Sequence, residues 1–425
     1  MTTPHVDSYY AASAHPAPVR PMLQGELETD VCVVGGGIAG CSTALHLAER
    51  GYRVVLLEAK RIGWGASGRS GGQVIAGYAS GQQKLVDQLG IDDARKLWDI
   101  SVEALALLKD RVARHAIDCD LHWGQMNVAI KPRQREALLA EQRELTERFG
   151  YPHLKFLERD SVEALLATKR YCAGLYDSGS AHLHPLNYTL GLAAAAEAAG
   201  VKIFESSAVT GVRRSDPAVV TCAHGHVKAR FVALCCNAYI DDLAPMLKAR
   251  IMPVATYIVA TQPLGAARMI ELMRENIAVT DINFVLDYFR QSADHRLLFG
   301  GRVSYSGLDA FGTRRATRQR MLKVFPQLAD VSIDYAWGGY VDITMNRAPD
   351  FGRLAPHIYY LQGFSGHGIA LTGIAGKLLA EAIGGQSERF DLFAKIRHRN
   401  FPGGRLLRTP ALVLAMLWYR MRDLL

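Results

Sequence analysis

The sequence contains no apolar run approaching the ~20 residues that a helix needs to cross a bilayer, so no transmembrane helix is expected. The N-terminal stretch MTTPHVDSYYAASAHPAP lacks a basic start followed by an apolar block. It therefore does not read as a secretory signal but as a polar lead-in draped over the surface. No CxxC pair occurs among the seven cysteines, Cys32, Cys41, Cys119, Cys172, Cys222, Cys235 and Cys236. An odd number, spread over predicted strands and helices, points to reduced buried thiols in a cytoplasmic protein rather than a disulfide framework. No His/Cys/Asp cluster has metal-ligand spacing. His182 and His184 stand two apart in AHLHP, on a predicted loop with no third ligand nearby, so no metal is expected. No catalytic triad can be assembled from the Ser, His and Asp residues of the chain. Nothing resembles a nucleic-acid module. The net charge of +8 points instead to a basic surface attractive to anionic substrates or membrane headgroups. The 425 residues, 49% of them hydrophobic, allow a large core, expected as two interleaved domains.

Residues 31–58, VCVVGGGIAGCSTALHLAERGYRVVLLE, carry the densest information. Val31–Val34 form an apolar run suited to a buried parallel strand. Gly35, Gly37 and Gly40 make G-x-G-x-x-G: the first allows the tight turn, the second lets backbone approach a pyrophosphate, the third lets the helix lie close on the sheet. Gly51 ends that helix and Val54–Leu57 form the next strand. Glu58 closes that strand, roughly 20 residues past the glycines, where a carboxylate holds a ribose hydroxyl pair. The competing reading is a strand–helix turn with no ligand. The context of strand, helix and acid argues for dinucleotide binding.

The next segment separates NAD from FAD. RIGWGASGRSGGQ (61–73) is a glycine-rich loop just after the ribose acid, which a simple NAD fold does not need. It can run beneath a long cofactor, backbone amides meeting phosphate and flavin edge. Stretches 201–210 and 226–239 read as strands ending in turns. IYYLQGFSGHGIALTGIAGKLLAEA (358–382) gives strand, glycine turn and long helix, whose N-terminal amides can face the electron-rich side of a flavin ring.

These segments together resemble the D-amino-acid oxidase/sarcosine oxidase superfamily of FAD amine oxidoreductases, from about residue 28 to 385. The narrower likeness is to the gamma-glutamylputrescine oxidases. It runs through SYYAAS (8–13), LDYFR with DHRLLFGG (286–301), FGRL (351–354), IYYLQGFSGHG and FPGGR (401–405). L-pipecolate and sarcosine-type secondary-amine oxidases share the layout and stand as the alternative. The resemblance implies an α/β (α+β) fold, a Rossmann-like FAD-binding domain with an interleaved antiparallel-sheet substrate domain. The expected boundaries are an N-terminal extension 1–27, FAD-binding segments 28–80, 155–245 and 336–390, substrate segments 81–154 and 246–335, and a C-terminal segment 391–425.

Carried over by resemblance, Gly35, Gly37, Ile38, Ala39 and Gly40 take the pyrophosphate, and Glu58 with Ala59 the adenosine ribose. Ser67, Gly68 and Arg69 pass the flavin, and Gly72 and Gln73 follow toward its catalytic face. Val209 grips adenine, Asn237 adds to the cradle, and Gly366, His367, Gly368 and Thr372 lie along the pyrimidine side. The cysteine that tethers FAD in sarcosine oxidases has no counterpart in GGYVDITMNRAPDFG (338–352), so FAD is expected to be non-covalent. Those enzymes also use a substrate-domain lysine toward oxygen, whereas RLLFGGR (296–302) carries Arg296 and Arg302. The electron acceptor is thus left as oxygen or a quinone.

Amine oxidation by a flavin needs orientation more than acid–base chemistry. The expected reaction is hydride transfer from the amine α-carbon to flavin N5, giving an imine that hydrolyses to an aldehyde. His367, Gln73, Tyr288, Trp337 and Arg290 are the candidate catalytic-face residues. Tyr340, Met345 and Arg347 join them as pocket candidates, aromatics walling an alkyl amine and an arginine forking onto a carboxylate. Strands are expected at 126–130, 251–261, 283–290 and 297–303, and helices over 83–115 and 133–149. Residues 411–419 form an apolar C-terminal helix too short to span a bilayer. It packs on the body or a second subunit, or lies on a membrane with Trp418, Tyr419, Arg420 and Arg422 at the interface.

Overall fold

The computed structural model describes residues 3–304 and 310–402. Its strands fall into two sheets. The first runs in the order Asp350–Ala355, Ile358–Gln362, Gly225–Leu234, Gly25–Val34, Val54–Leu57, Lys202–Phe204. Its four inner pairings are parallel, as the unbroken apolar runs Val31–Val34 and Val54–Leu57 require, both being buried throughout. Helix Ile38–Ala48 follows the central strand, and helix Gly368–Ile383 lies against it. A Cβ on Gly376 would stand 2.6 Å from the Thr43 amide, and Ser42 Oγ donates to the Gly373 carbonyl at 2.7 Å. The two glycine-opened helices therefore sit backbone to backbone.

The second sheet runs Ile333–Thr344, Ile251–Thr261, Leu297–Ser304, Tyr288–Gln291, Ala278–Asp281, His122–Ala129, Ala173–His182, Gln73–Val74, with Leu154–Glu158 paired to Ala173–His182. It is antiparallel except where Ala278–Asp281 meets His122–Ala129. Behind it lies a core of Phe289, Phe299, Met321, Phe325 and Leu328.

Several expectations need correction. Gln73–Val74, Leu154–Glu158 and Ala173–His182, assigned to the FAD-binding segments, all pair within the second sheet. Helix Ile91–Arg114, assigned to the substrate segments, buries Leu97, Ile100 and Leu108 in the same core as Leu45, Ile374 and Leu378. Glycine turns mark where strands end, but not which sheet each strand joins. The strand expected over 283–290 shrinks to Tyr288–Gln291. His182 ends a strand rather than lying on a loop, whereas His184, in the short connection that follows, caps helix Pro185–Ala198 by accepting the Asn187 amide.

The N-terminal lead-in runs over the surface but is anchored in its middle, where residues 8–10 are buried. Ser8 caps a short helix, Tyr9–Ala12, and Tyr9 and Tyr10 pack among Leu186, Ile258, Leu298 and Trp337. Adjacent tyrosines supply enough apolar area to anchor the arm, whose described residues on either side of 8–10 stay at least partly exposed. Among the described residues no single helix is long and apolar enough to cross a membrane. The segment 411–419 and its flanking residues lie outside the described residues, as does the side chain of Arg302.

Candidate active site

The turn after Gly25–Val34 is built from close approaches. Gly35 has φ +108°, and a Cβ there would stand 2.7 Å from the Cys235 carbonyl oxygen. A Cβ on Gly40 would lie 1.8 Å from the Gly35 carbonyl, so only glycine lets helix Ile38–Ala48 start this close to the strand. Ser67 Oγ accepts the Ile38 amide at 3.0 Å and would meet a Cβ on Gly37 at 2.8 Å. Gly37 caps the helix without any side-chain acceptor. With the Ile38 amide taken by Ser67, the next amides of its first turn, at Ala39 and Gly40, and the positive end of the helix dipole are what it can offer an anion.

Glu58 closes the turn. Its Oε2 accepts the Gly36 amide at 2.7 Å and its Oε1 the Lys60 amide at 2.8 Å. Burial raises its pKa, while these two amides pull the other way. Ala59 beside it is exposed. Val209 opens the strand Val209–Arg213 just after Ser206 and Ser207, whose amides bond the Lys60 and Glu58 carbonyls.

The 61–73 loop folds over this turn, with a short 3-10 segment at Ala66–Gly68. Arg69 stacks on Trp64 at 4.0 Å and donates from Nε to the Trp64 carbonyl at 2.7 Å. Tyr239 lies 5.8 Å from Trp64 and 6.2 Å from Tyr340, ring centre to ring centre. Around this cluster Arg69 Nη2, Ser70 Oγ, Asn237 Oδ1 and Tyr239 OH are buried without a hydrogen-bond partner. Each such group costs about 1–3 kcal/mol unless a ligand satisfies it. A cofactor bearing a pyrophosphate, polyol hydroxyls and a heteroaromatic edge supplies those partners, so the residues fit FAD.

The far side is the turn Gly363–His367 ahead of helix Gly368–Ile383. Asp342, buried, accepts the Gly363 amide and the Asn237 side chain, and its carbonyl takes the Ser365 amide at 3.0 Å. Burial pushes the Asp342 carboxyl up to about 6. His367 is the helix N-cap residue; burial, with the Arg347 charge adding to it, lowers its pKa to about 4, so it is neutral near pH 7. Gly366 is exposed at the tip of the turn, Gly368 begins the helix, and the Thr372 hydroxyl turns back to the Gly368 carbonyl. Arg347 stands at φ +61°, its guanidinium 4.6 Å above the Phe284 ring.

The remaining catalytic-face candidates gather around residues 69–73 of this loop. Gln73 bonds Thr280 through its side chain at 2.8 Å. Tyr288 packs its ring over Gly71 and Gly300, where a Cβ would meet it at 2.7 and 2.1 Å. Trp337 is buried and donates from Nε1 to the Arg69 carbonyl at 3.0 Å. Arg290 is 2% exposed, and its N–H groups go to Gly71 O, Gln291 O, Leu183 O, Tyr10 OH and His182 Nδ1. It therefore has no fork left for a substrate carboxylate. Arg296 is likewise committed, to Asp294, Asp334 and the Thr261 carbonyl. Residues of the site that escaped the sequence reading include Tyr10, Trp64, Ser70, His184, Tyr239 and Asp342. SYYAAS and Trp64 stood in motifs already singled out, and Asp342 in a stretch searched only for cysteine.

All seven cysteines are free, and among the described residues no group of three or more His, Cys, Asp or Glu could hold a metal. Comparison with known proteins agrees with the cradle. The family model for FAD dependent oxidoreductases matches residues 30–382. The gamma-glutamylputrescine oxidoreductase of Escherichia coli (strain K12) is 43% identical over 422 residues, 99% of each chain. Among solved structures, glycine oxidase from Geobacillus kaustophilus superposes with a TM-score of 0.74, covering 88% of this chain and 100% of that one at 21% identity. L-proline dehydrogenase from P. horikoshii gives 0.71, covering 87% and 98% at 22% identity. The likeness to these structures is one of fold. With the glycine turn, the carboxylate of Glu58, the 61–73 loop and the second helix start in one cradle, the chain belongs to the family of FAD-dependent oxidoreductases that its residues 30–382 match.

Proposed function

We propose that this enzyme oxidises gamma-glutamylputrescine, or a closely similar gamma-glutamylated amine, at the carbon beside the amine nitrogen. The imine so formed hydrolyses to an aldehyde. The 43% identity to the gamma-glutamylputrescine oxidoreductase over 99% of both chains carries this reading. FAD held in the cradle described above would supply the two-electron sink for this oxidation, with oxygen or a quinone as the final acceptor.

The chain's own part is to bind, orient and exclude. The first turn of helix Ile38–Ala48 and Glu58 hold the adenosine end. The 61–73 loop and the Gly363–His367 turn hold the ring end without covalent attachment. His367, neutral at working pH, adds no cation to compete with the amine. Arg347 serves as the carboxylate anchor for the glutamyl end. It adopts a left-handed backbone conformation that costs a non-glycine residue about 1–2 kcal/mol. Strain of this kind clusters where a ligand is clamped. Tyr340 and Met345, 41% and 49% exposed, offer apolar surface to the putrescine methylenes. The seven free thiols suit a reducing cytoplasm.

The test is anaerobic bleaching of the purified flavoprotein with gamma-glutamylputrescine, putrescine, sarcosine and L-pipecolate. Rapid bleaching by the glutamylated amine alone is expected. Bleaching by sarcosine or pipecolate in its place would overturn the substrate and leave the family assignment untouched. Oxygen uptake by the same preparation decides between oxygen and a quinone as acceptor.

A further inference from the structure

We infer that the N-terminal arm, residues 3–15, is a working part of the cofactor site, with Tyr10 as the positioning residue that sets the shape of the flavin loop. The family model begins at residue 30, so the arm lies outside what the family match covers. The inference rests on the FAD cradle described above and on no particular amine.

Tyr10 is fully buried and touches two side chains that grip the loop. On one side its hydroxyl accepts from Arg290 Nη2 at 3.0 Å, and Arg290 Nε donates to the Gly71 carbonyl at 2.9 Å. On the other its ring lies 5.2 Å from the ring of Trp337, edge-on, and Trp337 Nε1 donates to the Arg69 carbonyl at 3.0 Å. The loop is thus held at residues 69 and 71 by two side chains that meet at one tyrosine. Arg69 and Ser70, between those grips, carry the unpartnered Nη2 and Oγ that await the cofactor.

The grip is tight. A Cβ on Gly72 would lie 2.1 Å from the Leu183 carbonyl and 3.1 Å from Arg290 Nη2, and the Gly72 carbonyl accepts the Leu183 amide at 2.9 Å. None of the acceptors named around Arg290 is a carboxylate. A buried guanidinium satisfied only by carbonyls, a hydroxyl and an imidazole is a costly arrangement for stability alone. It does fix three segments, the arm, the loop and the 182–184 turn, in one register. The arm is pinned further along: Trp64 Nε1 donates to the Pro4 carbonyl at 3.1 Å, Ser13 Oγ lies 3.1 Å from His184 Nε2, and the His15 amide donates to Asn187 Oδ1 at 2.9 Å. Pro4 therefore ties the arm to the edge of the indole on which Arg69 stacks.

The experiment uses the full chain. Tyr10→Phe keeps the ring and removes the acceptor for Arg290; Trp337→Phe keeps an aromatic ring and removes the donor to Arg69. Tyr9→Phe is the control, since the Tyr9 hydroxyl interacts with Ser292, Asp294 and Ser13, none of which grips the loop. FAD affinity is measured by fluorescence titration of apoprotein, with the visible flavin spectrum and the melting temperature of the apoprotein alongside. Tyr10→Phe and Trp337→Phe should each weaken FAD binding about tenfold, as loss of one hydrogen bond at a charged or buried group allows. They should also shift the flavin bands, while Tyr9→Phe does neither. Wild-type FAD affinity and spectrum in Tyr10→Phe and Trp337→Phe would overturn the inference, whatever happens to melting temperature, because the arm would then only pack. Amine specificity does not enter the measurement, so the proposed substrate and this role stand or fall apart.

Discussion

Gly40→Ala is the sharpest perturbation of the cradle. A Cβ there would sit 1.8 Å from the Gly35 carbonyl oxygen, 3.0 Å from its carbon and 3.4 Å from Val33 Cγ1. Ordinary contact begins near about 3.5 Å, so the turn and the helix must part by about 1.7 Å. The backbone at Gly40 is helical, and alanine by itself would favour the helix by about 1 kcal/mol. Overpacking against backbone costs about 3 kcal/mol, leaving a net loss of about 2 kcal/mol. The larger effect falls on FAD. The displaced amides of Gly37 to Gly40 lose hydrogen-bond reach to the pyrophosphate, and binding should weaken at least ~100-fold, about 2.7 kcal/mol. Gly211→Ala is the matched control: its Cβ would meet nothing within 4 Å, so it should hold FAD normally and gain about 0.4–1 kcal/mol through the unfolded chain. FAD titration and apoprotein melting of both variants decide the matter. Wild-type FAD affinity in Gly40→Ala would refute the reasoning that this contact sets the phosphate site.

Acid precipitation of the holoprotein should leave all the flavin in the supernatant; flavin retained in the washed pellet would mean a covalent link. Arg347→Gln should raise KM for gamma-glutamylputrescine about tenfold or more with kcat nearly unchanged, as loss of a charged hydrogen bond predicts, and an unchanged KM would remove Arg347 from substrate recognition. Asp281, 1% exposed and facing Asp287, has its carboxyl raised to about 7 by burial and by that neighbour. The folded state therefore holds a proton that the unfolded chain loses near 3.8, so this group's contribution to stability falls as pH rises toward 7. Asp281→Asn removes that dependence. Its stability relative to wild type should grow by about 1.4 kcal/mol per pH unit between about 5 and 7, read by urea melts. A difference independent of pH would contradict the buried, protonated carboxyl.

Whatever depends on consecutive residues was legible in the chain itself. Val31–Val34 is apolar on both faces because a central parallel strand has no exposed side. The glycines at 35, 37 and 40 and the acid at 58 follow from turn sterics and helix start, which act over a few residues and one short helix. The second start at 363–368 follows the same local logic. Sheet membership did not, because Ala173–His182 alternates as well against one sheet as another, and only its register with His122–Ala129 decides. The roles of Arg290 and Tyr10 were equally hidden. Their bond spans 280 residues of chain, and Arg290's grip on Gly71 spans 219. An arginine in a strand reads the same whether it meets a substrate or closes on carbonyls. Tertiary packing alone determined that this one is spent inside the protein, which leaves Arg347 as the proposed carboxylate anchor, and that the N-terminal arm is fastened beside the 61–73 loop.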